Sequence, residues 1–167
     1  MYFTMLITSH IAATTGLLLT TNLVGIKTPP EVIAASYFLG VGIDIDHLVA
    51  HLKDCLAEIA SFAKGTVHKK YGTKYLHTYL QEPTSFILAL IISYFLYIRL
   101  NTPGVFIPSL ALGLHIFMDS FVDYDNLLFW PISKKAYRGF IKPNTLGELL
   151  LGIIVTPLLF YFWQLIK

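Results

Sequence analysis

Five apolar stretches fill most of this 167-residue chain, and too little charge lies between them to cover a globule in water. Hydrophobic residues make up 55% of the chain and charged residues 13%, with a mean hydropathy of +0.64. The charged share is about half that of an ordinary soluble domain. Disorder and a free cytosolic enzyme are excluded, and lipid is the solvent that suits such a chain. Twelve basic residues against ten acidic ones leave a formal charge of +2, which is too small to suggest a nucleic-acid partner. Cys55 is the single cysteine, so neither an internal disulfide nor a cysteine-rich zinc site can form. Any metal chemistry must draw on the six histidines.

The expected architecture is all-α: a polytopic membrane bundle of about five spans in one domain, residues 1–167. The spans are Phe3–Val24, Glu31–Ile43, Thr84–Leu100, Val105–Val122 and Leu146–Ile166. The second is short for a bilayer unless it runs on through Asp44-Ile45-Asp46-His47, and otherwise reads as a half-buried helix. Pro29-Pro30 is a good start for it. From His47 to Ala63, Leu48, Leu52, Leu56 and Ile59 fall at helical spacing, so a helix along the cytoplasmic interface is expected. No basic residue precedes Lys27, so the first stretch lacks the charged start of a signal peptide and reads as a retained helix.

The loops alternate between two sides of the membrane. One side holds Lys53, Lys64, Lys69, Lys70, Lys74, Lys134, Lys135, Arg138 and Lys142, and the other holds Lys27, Arg99 and Lys167. Basic residues favour the inside, so the N-terminus and both long loops are expected in the cytoplasm and the C-terminus outside.

An ionisable residue within a span costs about 2.5–3.5 kcal/mol on insertion scales and is a site candidate by default. Here these residues are His10, Asp44, Asp46, His47, His115 and Asp119, while His77 and Glu82 stand just before the third span. With the orientation above, all of them reach a similar depth on the cytoplasmic side. Singly each has a plain explanation: a helix-packing hydrogen bond for His10, a helix-end cap for Asp44 to His47, an intramembrane hydrogen bond for the pair His115 and Asp119. Those two lie four apart and so share a helix face. Together, imidazoles and carboxylates at one depth suit Zn²⁺, Mn²⁺ or Fe²⁺.

The remaining polar and aromatic residues read plainly. His51 fits an interfacial helix surface as well as a ligand face, and His68 a solvated loop. Asp123 and Asp125 fit a solvated flank, Glu148 a helix N-terminus, and Cys55 a packing position. Arg138 suits an inside-flank charge better than a phosphate contact. Tyr94, Phe95, Tyr97 and Phe160 to Trp163 read as lipid-facing or belt residues, and Trp130-Pro131 as a site wall or interface anchor.

From the first span to Pro131 the motifs resemble those of the YdjM-like inner-membrane proteins, a family described as membrane-bound metal-dependent hydrolases. The matching residues are Ser9-His10, Asp44-Ile45-Asp46-His47, His77 followed by Glu82, and His115 to Asp119 with Trp130-Pro131 after them. The family has two histidines five apart before its third helix; here Glu82 takes the place of the second, and the family's arginine is missing. The resemblance implies metal ligation by His10, Asp46, His77, Glu82, His115 and Asp119. Asp44 is then a ligand or an orienting group, and His47 a ligand or a proton shuttle. The H-x-x-x-D pair also looks like one in zinc-dependent phospholipase C, an analogy that implies phosphoester chemistry.

The resulting expectation is a hydrolase of a prokaryotic inner membrane that holds one to three divalent ions, with Zn²⁺ first and Mn²⁺ or Fe²⁺ as alternatives. Metal-activated water would attack a phosphoester or another ester at the cytoplasmic leaflet. Membrane lipids are its expected partners, and a substrate with a lipid tail would enter sideways between helices. The competing readings are a metal- or proton-handling membrane protein without hydrolase activity and a structural protein with a folding metal.

Overall fold

The computed structural model describes residues 3–44 and 82–123 and, in shorter pieces, part of 125–161. The expected interfacial helix, the lysine-rich loop after it, and Asp46, His47, His77 and Trp130-Pro131 lie outside the described residues. Four helices carry the architecture: α1 (Phe3–Leu23), α2 (Pro30–Gly40), α3 (Pro83–Leu100) and α4 (Ile107–Asp119). Residues 150–155 add a helical segment near the C-terminus.

Local sequence sets the helix ends. In α1, Thr15 Oγ1 donates to the Ile11 carbonyl and Thr21 Oγ1 to that of Leu18. These bonds satisfy the hydroxyls inside the helix, which lets a threonine-rich segment remain helical where water is absent. Gly25 adopts φ 81°, and the amides of Gly25 and Ile26 bond back to the carbonyls of Asn22 and Thr21. That closure uses the left-handed conformation that glycine adopts without steric cost. α2 begins on Pro30 after Pro29, where the missing N–H of proline has no helical partner to lose. α3 begins on Pro83 and ends at Asn101, which takes the left-handed conformation at φ 49°.

Eleven residues make α2 about 16 Å long, well short of the roughly 30 Å hydrocarbon core. The chain then turns through a 3₁₀ segment, Gly42–Asp44, so the regular helix does not continue to Asp44. The stretch from Ile45 to His47, through which a longer span would run, lies outside the described residues. The described fold is mostly helical, as expected, with one short ladder added: Asp125–Asn126 (β1) pairs antiparallel with Tyr137–Arg138 (β2). After α4 the chain returns beside its own Phe121 and Val122, whose carbonyls accept from the amides of Gly139, Phe140 and Ile141. So short a ladder leaves little period-2 signal in sequence.

α4 is the central helix, packed by α2, α1 and α3. One apolar cluster joins Ala13 of α1 to Leu114, Met118 and Val155, and the other joins Ile43 to Leu112 and Ile116, with Phe86 and Ala89 of α3 against it. α3 is the described helix long and apolar enough to cross a membrane. Ser93 is its buried residue, while Ile87, Leu88, Ile92, Phe95 and Ile98 are exposed. Outward-facing side chains of this kind match acyl chains, not water.

Ser93 Oγ donates to the Val105 carbonyl (2.9 Å) and lies 2.7 Å from Ser109 Oγ of α4. Hydroxyl bonds between membrane helices contribute about 0.6 kcal/mol on average, up to about 1.7. Ser93→Ala should therefore lower unfolding free energy in detergent by about that much; unchanged stability would show that the serine pair does not fasten α3 to α4. The pair also fixes an antiparallel register. Phe86 lies over Gly113, where a Cβ would meet its ring, and packs on the cluster of Ile43, Leu112 and Ile116. At the other end, the Lys27 carbonyl lies close enough to Gly104 to leave no room for a Cβ, which would sit 2.8 Å away. The α1–α2 and α3–α4 turns therefore share one end of the bundle, and His10, Glu82 and Asp119 lie toward the other.

Candidate metal centre

Three of the residues singled out in the sequence meet at that second end. His10 comes from α1, and His115 and Asp119 from consecutive turns of α4; all three are buried. His10 Nε2 lies 3.1 Å from Asp119 Oδ1, and His115 Nε2 lies 3.3 Å from Asp119 Oδ2. The two imidazole rings stack, with centroids 3.9 Å apart and an interplanar angle of 21°. One carboxylate thus faces the Nε2 atoms of two parallel rings, one with each oxygen.

A third contact fixes the proton on His115. Its Nδ1 lies 3.0 Å from the Gly40 carbonyl oxygen, and a carbonyl only accepts, so Nδ1 carries the hydrogen. In neutral His115 the Nε2 lone pair then points toward Asp119. The Gly40 carbonyl is available because α2 ends there, and the last carbonyls of a helix have no partner within it. The same helix end carries partial negative charge. Sequence reading missed this group, since a backbone acceptor has no signature in residue type.

His10 supplies the decisive observation. Both of its ring nitrogens are buried and make no hydrogen bond, and the approach to Asp119 Oδ1 is close without hydrogen-bond alignment. A buried polar group without a hydrogen bond costs roughly 1–3 kcal/mol. A cation between the three donors would give the His10 Nε2 a partner. The donor atoms lie within 4.8 Å of one another, so the group is able to hold a metal ion, with α2's carbonyl orienting one of the imidazoles.

Close packing holds the three elements in place. A Cβ on Gly40 would collide with Thr14 Oγ1 and lie 3.2 Å from Ala111 Cβ, so the glycine is what lets α2 approach α1 and α4 at this level. Glu82 is buried at the start of α3, in extended conformation ahead of Pro83. Its side chain makes no capping bond to that helix, and it stands outside the three-residue group. Asp44 ends the 3₁₀ segment four residues beyond Gly40; its side chain, like Asp46, His47 and His77, lies outside the described residues.

An apolar helical fold with a lipid-suited helix and a buried His–His–Asp group defines the class: a membrane protein with a site able to hold a metal ion. The family model of the YdjM inner membrane protein matches residues 5–167, and the chain belongs to that family. No curated protein and no solved structure matches it.

Proposed function

We propose that this protein is a metal-dependent hydrolase of the inner membrane, acting on a phosphoester or other ester at the cytoplasmic leaflet. The observation that carries the reading is His10: a buried imidazole with no hydrogen bond, stacked on a second imidazole and facing the same carboxylate. A divalent ion held there, Zn²⁺ first with Mn²⁺ and Fe²⁺ as alternatives, supplies Lewis acidity toward water and an ester oxygen. His10 and His115 bind through Nε2 and Asp119 through its carboxylate, while the Gly40 carbonyl keeps the His115 proton on Nδ1. Asp46, His77 and Glu82 extend the ligand set toward a second ion. Asp44 orients a ligand, and His47 moves protons to and from the reacting group.

In this reading Glu82, buried at the start of α3, is a further carboxylate at the site end of the bundle. The proposed topology has about five spans, with the N-terminus and both lysine-rich loops in the cytoplasm. The site end of the bundle then opens at the inner leaflet, where a lipid-tailed substrate can enter between helices. Burial of the three described ligands serves this chemistry, since electrostatic interactions strengthen where water is excluded.

The test is hydrolysis of a panel of phosphomonoester, phosphodiester and carboxylic ester substrates, water-soluble and lipid-linked, by purified protein in bilayers. Activity should disappear with chelation, return with one of the three metals and fail in Asp119→Asn. Tight metal binding without turnover of any panel member would instead identify a metal-handling membrane protein.

A further inference from the structure

The segment that follows Asp119 has a feature that the metal chemistry does not use. The return strand of its hairpin is fastened to the two residues directly behind α4: Phe140 and Ile141 donate to the Phe121 carbonyl at 2.9 Å, and Gly139 donates to that of Val122 at 3.1 Å. Asp123 donates to the Ile141 carbonyl at 2.7 Å. Gly139 has no room for a side chain, since a Cβ would collide with the Phe121 backbone.

This fastening builds an aromatic ridge. Phe117 packs edge-on against Phe121 with centroids 4.9 Å apart, and Phe121 against Phe140 at 5.8 Å. Phe117 is on the exposed side of α4, away from the ligands, and Phe140 is 75% exposed. Farther along the hairpin Ile132 is 94% exposed and Phe129 63%. An apolar surface of this kind is costly in water, and here it continues the exposed side of α4 past that helix's end.

We infer that the hairpin of residues 121–141 is an interfacial anchor, seated among the upper acyl chains of the leaflet nearest the metal centre. The occupant of its exposed face is lipid, because the ridge begins at Phe117 within the bundle's own outer surface and runs unbroken to Phe140. Lys135, exposed on the same hairpin, stands at the level of the headgroups, as basic residues do beside inserted apolar groups. Seating the hairpin in lipid steadies the turn that carries Asp119, since the two share a backbone without an intervening linker. The inference depends on membrane placement and not on hydrolysis.

The experiment uses full-length protein in the Cys55→Ser background, labelled with a fluorophore at Ile132→Cys and reconstituted into bilayers. Lipids brominated near the top of the acyl chain should quench the label, and aqueous iodide should not. Adding Phe140→Asp, which leaves the backbone bonds in place, should abolish the lipid quenching and expose the label to iodide, while zinc binding, measured in parallel, reports whether the bundle is intact. Quenching by iodide in the parent protein would overturn the inference. Protection from both quenchers would overturn it too, by showing a protein surface, such as a second copy of the chain, over the hairpin.

Discussion

Replacing Asp119 with asparagine should cost the protein its metal. The substitution keeps the shape of the side chain but removes the charge that faces both His10 and His115 at 3.1 and 3.3 Å. Loss of a group that only orients a ligand lowers metal affinity by about 10–100-fold, so loss of this shared anionic ligand should exceed about 100-fold. Titration of apoprotein with Zn²⁺, and metal analysis of the purified variant, check it. His10→Ala should give a similar loss, whereas Asp123→Asn, on the loop beyond α4, should bind as the parent does. Acid should mimic the ligand variants. Imidazole binds metal only when neutral, so protons compete with the ion and affinity should fall as the pH is lowered. Stoichiometric, tightly bound metal in Asp119→Asn would remove this carboxylate from the ligand set.

Gly40 should be sensitive to substitution although it is not itself in the three-residue group. A methyl group there meets Thr14 Oγ1 and Ala111 Cβ, and overpacking of this kind costs about 1–3 kcal/mol. The effect should not stop at stability. Displacing α2 moves the Gly40 carbonyl that receives the His115 Nδ1 hydrogen, and the imidazole loses its fixed orientation. Gly40→Ala should thus show a lower unfolding midpoint in detergent together with about 10–100-fold weaker metal binding. Thr14→Ala removes the hydroxyl in the way, so the double variant should recover part of both. Destabilisation with unchanged metal affinity would confine Gly40 to packing.

Much of this was legible before any coordinates. His115 and Asp119 lie four apart in an apolar run, and helical periodicity alone puts them on one face. His10 stood out because an imidazole in a lipid-suited helix needs a reason, and the basic-loop count brought it to the depth of Asp119. That His10 faces Asp119 is seen only in the packing of α1 on α4. The start of α3 was readable because Pro83 precedes the apolar run, whereas its left-handed end at Asn101 appears only in the fold. Other features carry no such signal. The orienting acceptor is a main-chain carbonyl, and the ring stacking depends on the rotation of α1 about its own axis, which no spacing reveals. The shortness of α2 comes from a 3₁₀ turn at Gly42–Asp44 that hydropathy does not distinguish from continued helix. The ladder of β1 and β2 is two residues long on each side, too short for an alternating pattern. Departure from the family's second histidine is plain in the sequence at Glu82, and its burial at the head of α3 keeps it close to the level of the site without placing it in the three-residue group.

The central claim is that His10, His115 and Asp119 hold one metal ion. Anomalous diffraction from crystals of the full-length protein, recorded at the zinc, iron and manganese edges after loading with each, tests it most directly. The account predicts a peak between the three side chains, about 2.0–2.2 Å from His10 Nε2, His115 Nε2 and an Asp119 oxygen. Metal-loaded crystals with no peak there, the two imidazoles and the carboxylate being bridged instead by protons or water, would contradict it.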